Sequence, residues 1–244
     1  LLATGLMLAW ADDFRAVFWV AVIPGLLAVL LLLVGVREPE HDRPRGAVNP
    51  IRREALARLG RRYWGVVGAG AQFTLARISE AFLVLRASQL DVPVAWVPLV
   101  MVAMNLVYAA SAYPFGKLSD TVSHGKLLAA GLVVLIASDL VLASAGSWVG
   151  LGLGVALWGV HMGMTQGLLA AMVADTAPED LRGTAYGFFN LLSGLALLVS
   201  SVIAGVLWDA KGSAFTFYAG AGFAALTLLG MALRPAPERY PAPS

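Results

Sequence analysis

Arg77 and Glu80 stand three residues apart in "QFTLARISEAFLVLR", residues 72–86, within a stretch that is otherwise apolar enough to cross a membrane. On a continuous helix that spacing puts both on one face, with Thr74 a turn earlier and Gln72 close by. A charge at the centre of a bilayer costs about 2.5–3.5 kcal/mol on insertion scales, so one retained there faces a cavity or a partner. Two readings follow for the pair. Either the two charges simply neutralise each other, or they line a transport cavity in which Arg77 attracts an anionic group or Glu80 titrates and couples movement to protons. Arg86 lies nearly a full span from Trp64 and is expected to snorkel to the outer interface.

Other polar side chains recur inside apolar runs. His161 and Gln166, with Thr165, form a second polar segment; His161 is either a proton relay or a hydrogen-bonded packing residue. Asn105 and Tyr108 are three apart on another run, positioned to touch substrate or to bridge helices. Asp139, in "LIASDLVLAS", has no basic neighbour in its own run and needs either a partner from elsewhere or a carboxyl that keeps its proton. No nucleophile–base constellation, phosphate loop or Walker signature is present, so hydrolysis and ATP-driven pumping find no support and no cofactor is expected. The chain has no cysteine, which removes disulfides, thiol nucleophiles and zinc-finger spacings.

The elements that must position these residues are read from hydropathy. Hydrophobic residues make up 59% of the 244 residues and charged residues 13%; mean hydropathy is +0.78. An ordinary soluble domain is about 45–50% apolar, so the composition is that of a polytopic membrane protein. Apolar runs lie near 1–10, 16–36, 64–87, 94–115, 127–144, 149–174, 184–208 and 214–233, predicting one partial and seven full helical spans. The fold class expected is an all-α polytopic membrane protein. Of the 17 basic residues most fall in alternate connections, among them Arg37, Arg52, Arg58, Arg62, Lys117, Lys126, Arg182 and Arg234, while the opposite loops hold Arg15 and Lys211. That bias places the first set, and the C-terminus, in the cytoplasm. The net charge of +2 is thus topological, and nucleic acid is not an expected partner. The opening "LLATGLMLAWADDFR" lacks the basic start of a signal peptide and reads as a chain entering within a helix. The basic segment 37–62 reads as a linker, with a surface helix on anionic lipid around 51–62.

Three motifs add detail. Gly146, Gly150 and Gly154, and then Gly159, Gly163 and Gly167, recur every fourth residue, a spacing that lets helix backbones approach closely in lipid. In "FGKLSDTVSHGK", Gly116, Leu118 and Asp120 resemble the G-x-L-x-D opening of the loop signature of the major facilitator superfamily. The chain departs from that signature afterwards, with Thr121, Ser123, His124 and Gly125 where Arg and the Gly–basic pair would stand, and only the acidic half is kept. In "DTAPEDLRGTAYGFFN", Pro178, Arg182, Gly183, Ala185 and Gly187 are similar to the P-x-x-x-R-G-x-A-x-G turn of the same superfamily. Arg182 is expected to act as a cytoplasmic gate with Asp175, or as a plain helix cap. "GVLWDAKG", residues 205–212, looks like the exit from the family's penultimate helix.

The resemblance implies two six-helix bundles rocking around a midplane substrate site. On it, 1–36 is the end of the first bundle (a partial fifth helix and the sixth), 37–63 the basic cytoplasmic linker, 64–234 the second bundle and 235–244 a cytoplasmic tail. Its first four helices, missing here, would be partners within the same protein. The implied function is secondary active transport of a small solute by alternating access, coupled to protons, in a bacterial inner membrane. Two alternatives stand: a transport-inactive membrane scaffold or sensor, and a lipid or drug exporter. The implied pathway is lined by the first helix of each repeat, 64–87 and 149–174, which are also the most polar.

Overall fold

The computed structural model describes residues 2–10, 13–35 and 53–233. The linker segment 37–52 and the tail 234–244, with their basic residues, lie outside the described residues. Among the described residues there are ten α-helices and no strand. The hydropathy reading is met closely: α2 (Phe14–Gly35), α6 (Val97–Ser119), α7 (His124–Ser144), α8 (Trp148–Thr176), α9 (Arg182–Lys211) and α10 (Ser213–Ala232) are each long and apolar enough to cross a membrane. The partial first run is α1 (Leu2–Ala9), and a single turn at Val94–Trp96 leads into α6.

One expectation fails. The run 64–87 is not one helix but two, α4 (Arg61–Ala76) and α5 (Ala81–Gln89), separated at Arg77, Ile78, Ser79 and Glu80. Arg77 leaves α4 in extended geometry, φ −90° and ψ 109°. The second helix then restarts on Ser79, whose hydroxyl accepts from the Ala81 amide at 3.3 Å and whose carbonyl accepts from the Phe82 amide at 3.1 Å. The surface helix expected near 51–62 is shorter, α3 (Arg53–Arg58), and gives way at Gly60 to α4.

Helices α6 to α10 pack with α4 and α5 around two clusters. The larger joins Phe73, Leu83, Met104, Leu132, Leu135, Trp158 and Phe217. The smaller, at the end carrying Arg58 and Arg182, joins Leu59, Tyr63, Val173, Leu181, Ala185 and Phe189. Glycine spacing shows its purpose at the α8 seams. A Cβ on Gly154 would strike Leu142 of α7, and Cβ atoms on Gly159 and Gly163 would strike Met104, Val107 and Ser111 of α6. Gly146 and Gly167 face open space, so only the middle of the repeat is used. By contrast α2 is exposed along its length, Trp19 by 76% and Leu33 by 79%, which is stable only against lipid or other helices.

At the basic end α4 is tied to α9. Tyr63, fully buried, donates its hydroxyl to the Ala185 carbonyl at 2.9 Å, and Gly70 leaves room for the Phe189 ring. The Tyr63→Phe variant is expected to lose about 1 kcal/mol, the net worth of one hydrogen bond, read as a small fall in unfolding temperature.

Candidate substrate site

Arg77 and Glu80 come to the surface of cavities because the helix breaks between them. Continuation of α4 would have stacked them on one face; instead Arg77 terminates one helix and Glu80 opens the next. Among the described residues neither forms an ion pair, with the other or with anything else. The two are thus not in direct contact, though Glu80 stays within electrostatic reach of Arg77.

A cavity of ≈ 360 Å³ is lined by Arg77, Ile78, Ser79, Glu80 and Ala81 of the break, with Val84 of α5, Met101 of α6 and Leu197 of α9. A second of ≈ 300 Å³ lies between α4, α8 and α9, lined by Phe73, Thr74, Arg77, Thr165, Gln166, Tyr186, Asn190 and Ser193, among others. Arg77 and Leu197 belong to both walls, so this arginine stands between the two compartments. The polar α9 residues were not anticipated, yet Tyr186, Asn190, Ser193 and Leu197 follow the i, i+4, i+7, i+11 stripe of one helix face, a readable signal. The Ser193 hydroxyl is buried without a hydrogen-bond partner among the described residues.

The other candidates divide. Gln166 lines the second cavity. Gln72 points instead toward α10, where its amide lies 3.4 Å from the place of a Cβ on Gly230. His161 is fully buried, and its ring stacks on Phe73 with centroids 5.4 Å apart. A carbonyl can only accept, so the 2.8 Å contact to Gly131 makes Nδ1 the protonated nitrogen and leaves Nε2 as an acceptor without a protein partner. It stands behind Phe73 rather than in either cavity wall. Asn105 donates to the Met101 carbonyl of its own helix at 2.8 Å and is exposed. Tyr108 packs against the larger cluster. Asp139 is fully buried on α7, its carboxyl against Gly220 of α10, with no hydrogen-bond partner on either oxygen. Among the described residues no partner reaches it, which leaves the protonated carboxyl as the alternative, and it lines neither cavity.

Arg86 lies at the helix ends opposite the basic end. Its part-buried guanidinium donates to the carbonyls of Leu142 at 3.2 Å and Ala145 at 2.7 Å, to Ser213 Oγ at 2.8 Å and to Gln89 Oε1 at 3.0 Å. It thereby joins α5 to the end of α7 and the start of α10.

Arg182 approaches Glu179 at 3.9 Å and not Asp175, which is exposed. The ion pair between distant segments is instead Arg58 to Asp180 at 2.8 Å, with both side chains more than half exposed; such a pair contributes about 1 kcal/mol at most. Gly116 and Asp120 lie at the end of α6, exposed, and Asp120 makes no side-chain hydrogen bond among the described residues. Gly183, in the first turn of α9, has open space around it.

An all-helical bundle with a broken, charge-bearing helix beside polar cavities narrows the families to be considered, and comparison with known proteins decides among them. The family model described as Major Facilitator Superfamily matches residues 66–244, from within α4 to the end of the chain. The chain belongs to the Major Facilitator Superfamily. Among relatives of this superfamily chain, an uncharacterized MFS-type transporter of Methanocaldococcus jannaschii is 31% identical over 207 residues, covering 80% of this chain and 50% of that protein. The lysosomal dipeptide transporter MFSD1 of Bos taurus is 32% identical over 139 residues, covering 53% of this chain and 28% of that protein. Its Homo sapiens counterpart is 37% identical over 76 residues, 30% of this chain and 16% of that protein. The superfamily chain thus spans about half the length of its archaeal relative, and its multi-pass membrane architecture follows from family and helices together.

Proposed function

We propose that this superfamily chain forms one half of a secondary active transporter that moves a small solute by alternating access, coupled to protons. The observation that carries the reading is the break at residues 77–80, which holds an arginine and a glutamate toward cavities beside α8 and α9. In transporters, discontinuous helices recur where substrate and coupling ions bind, because unwound backbone is tolerated at membrane depth only where it faces protein or a cavity. Glu80 is the proton-coupling candidate and Arg77 the substrate contact. The relatives named as dipeptide transporters support a small polar organic solute as cargo. The positive-inside bias supports a cytoplasmic location for the end carrying Arg58, Lys117 and Arg182, and 64–234 is the unit that folds as one bundle.

The test is proton-driven uptake by the full-length protein reconstituted in vesicles. Arg77→Ala and Glu80→Gln are each expected to cut uptake by about tenfold or more, the loss of one charged contact, while the protein still inserts and elutes as a single species. Unchanged uptake in both would remove the break from the pathway. Absence of solute and proton movement across a broad panel would favour the scaffold or sensor reading.

A further inference from the structure

The two charges at the break are kept in one cavity wall and kept from pairing. Arg77 and Glu80 are three residues apart in sequence, both line the ≈ 360 Å³ cavity, and neither has an ion-pair contact among the described residues. A guanidinium and a carboxylate held in one wall without direct contact are each only partly answered by the other, so the arrangement favours a ligand that meets both. A simple anion would meet Arg77 but be repelled by Glu80 in the same wall, and a simple cation the reverse. A neutral polyol would leave both charges unanswered.

The restart of α5 sharpens the choice. Helix N-termini commonly receive carboxylates through free amides, but here the first amides are already taken. Those of Ala81, Phe82 and Leu83 bond to Ser79 Oγ, Ser79 O and Glu80 O. A ligand carboxylate is thus left with the Arg77 guanidinium, which offers a planar fork for two parallel bonds. Arg77 also faces the second cavity, where Gln166, Asn190 and the unpartnered Ser193 hydroxyl present uncharged hydrogen-bonding groups. Those suit an amide or carboxylate lying beyond the arginine.

We propose that the site takes a small zwitterion with a free carboxylate and a free ammonium, of α-amino-acid to dipeptide size, its carboxylate on Arg77 and its ammonium on Glu80. This rests on the reading of these cavities as the transport site. Cavities of ≈ 360 and ≈ 300 Å³ fall in the size range of small-molecule sites.

The experiment measures the thermal stability of the detergent-purified full-length protein, and uptake in vesicles, with five probes: alanine, alanyl-alanine, N-acetylalanine, alanine amide and glycerol. Stabilisation is expected with alanine or alanyl-alanine and not with glycerol, with at least about tenfold weaker apparent affinity for the two singly charged analogues. The variants must then separate by end. Arg77→Gln is expected to abolish the preference for acid over amide while keeping the preference for free amine over acetylated amine; Glu80→Gln is expected to do the opposite. Size-exclusion profiles matching wild type show that both fold. The proposal is overturned if glycerol or a singly charged analogue binds as well as the zwitterion, if none of the five binds, or if both variants lose both preferences together. In those cases, uptake of some other solute with proton movement would leave the transport reading standing; loss of all transport would remove both.

Discussion

Gly159→Val is expected to leave little or no folded full-length protein in the membrane. A Cβ at position 159 falls 2.6 Å from the Met104 carbonyl oxygen, 2.9 Å from Val107 Cβ and 3.1 Å from the Tyr108 amide nitrogen. Two of those atoms are backbone and cannot rotate aside, so α8 must withdraw from α6. Helix association in lipid depends on close van der Waals packing, since no hydrophobic force drives one apolar helix onto another. The separation therefore loses contact along the whole seam, including the site where Gly163 meets Ser111. A cost of about 3 kcal/mol or more is expected, at or above the upper part of the range for overpacked cores. Yield of monodisperse protein and its unfolding temperature measure it. The internal control is Gly167→Ala, in the same four-residue series but with nothing within 4 Å, which should behave as wild type. Equal behaviour of the two variants would refute the close approach of α6 and α8.

Arg86→Ala is expected to be the most damaging single change outside the glycine seam, destabilising by about 2–4 kcal/mol through loss of several charge-assisted bonds. The carbonyls of Leu142 and Ala145 lie at the C-terminal end of α7, where a cation is favoured; Leu142 O also accepts from the Ala145 amide at 3.4 Å. Removing the guanidinium leaves those carbonyls without it and frees α5 from both α7 and α10. Since α5 carries the cavity wall that begins at Glu80, uptake should fall together with stability. Lysine cannot replace the fork: one ammonium does not reach Leu142 O, Ala145 O and Ser213 Oγ in their separate directions. Arg86→Lys should thus recover only part of the loss, whereas Gln89→Ala, which removes one exposed partner, should stay within about 0.5 kcal/mol of wild type. At this chain size each kcal/mol is worth about 2–4 °C in unfolding temperature, so the three variants are separable. Full activity and wild-type stability in Arg86→Ala would show that the three-helix connection contributes nothing.

The gradation among the candidate residues has a common physical origin. Arg77, Glu80 and Gln166 were recognisable as polar residues that membrane insertion would select against, and they do line cavities. Asp139 carried the same signal and lies elsewhere, sealed between α7 and Gly220. His161 did too, and is committed to the Gly131 carbonyl and the Phe73 ring. Insertion cost identifies a residue that needs an unusual environment; it does not say which neighbour supplies it.

What the sequence determined by itself was set by the solvent and by local spacing. Hydrocarbon demands about 20 apolar residues and internally satisfied backbone, so span positions within a few residues, the all-helical class and the alternation of basic loops were legible from Leu, Val and Arg placement alone. Glycines four apart announced close contacts at α8, though not which of them would be used. The tertiary structure decided the rest. The break at 77–80 contains neither glycine nor proline, the usual local markers of an interrupted helix, so hydropathy reads straight through it. It is sustained instead by long-range contacts: Tyr63 and Gly70 tie α4 to α9, while Arg86 ties α5 to α7 and α10. Contacts made far away in sequence fix the half-helix on each side, and the residues at their junction, Arg77 and Glu80, line the cavities.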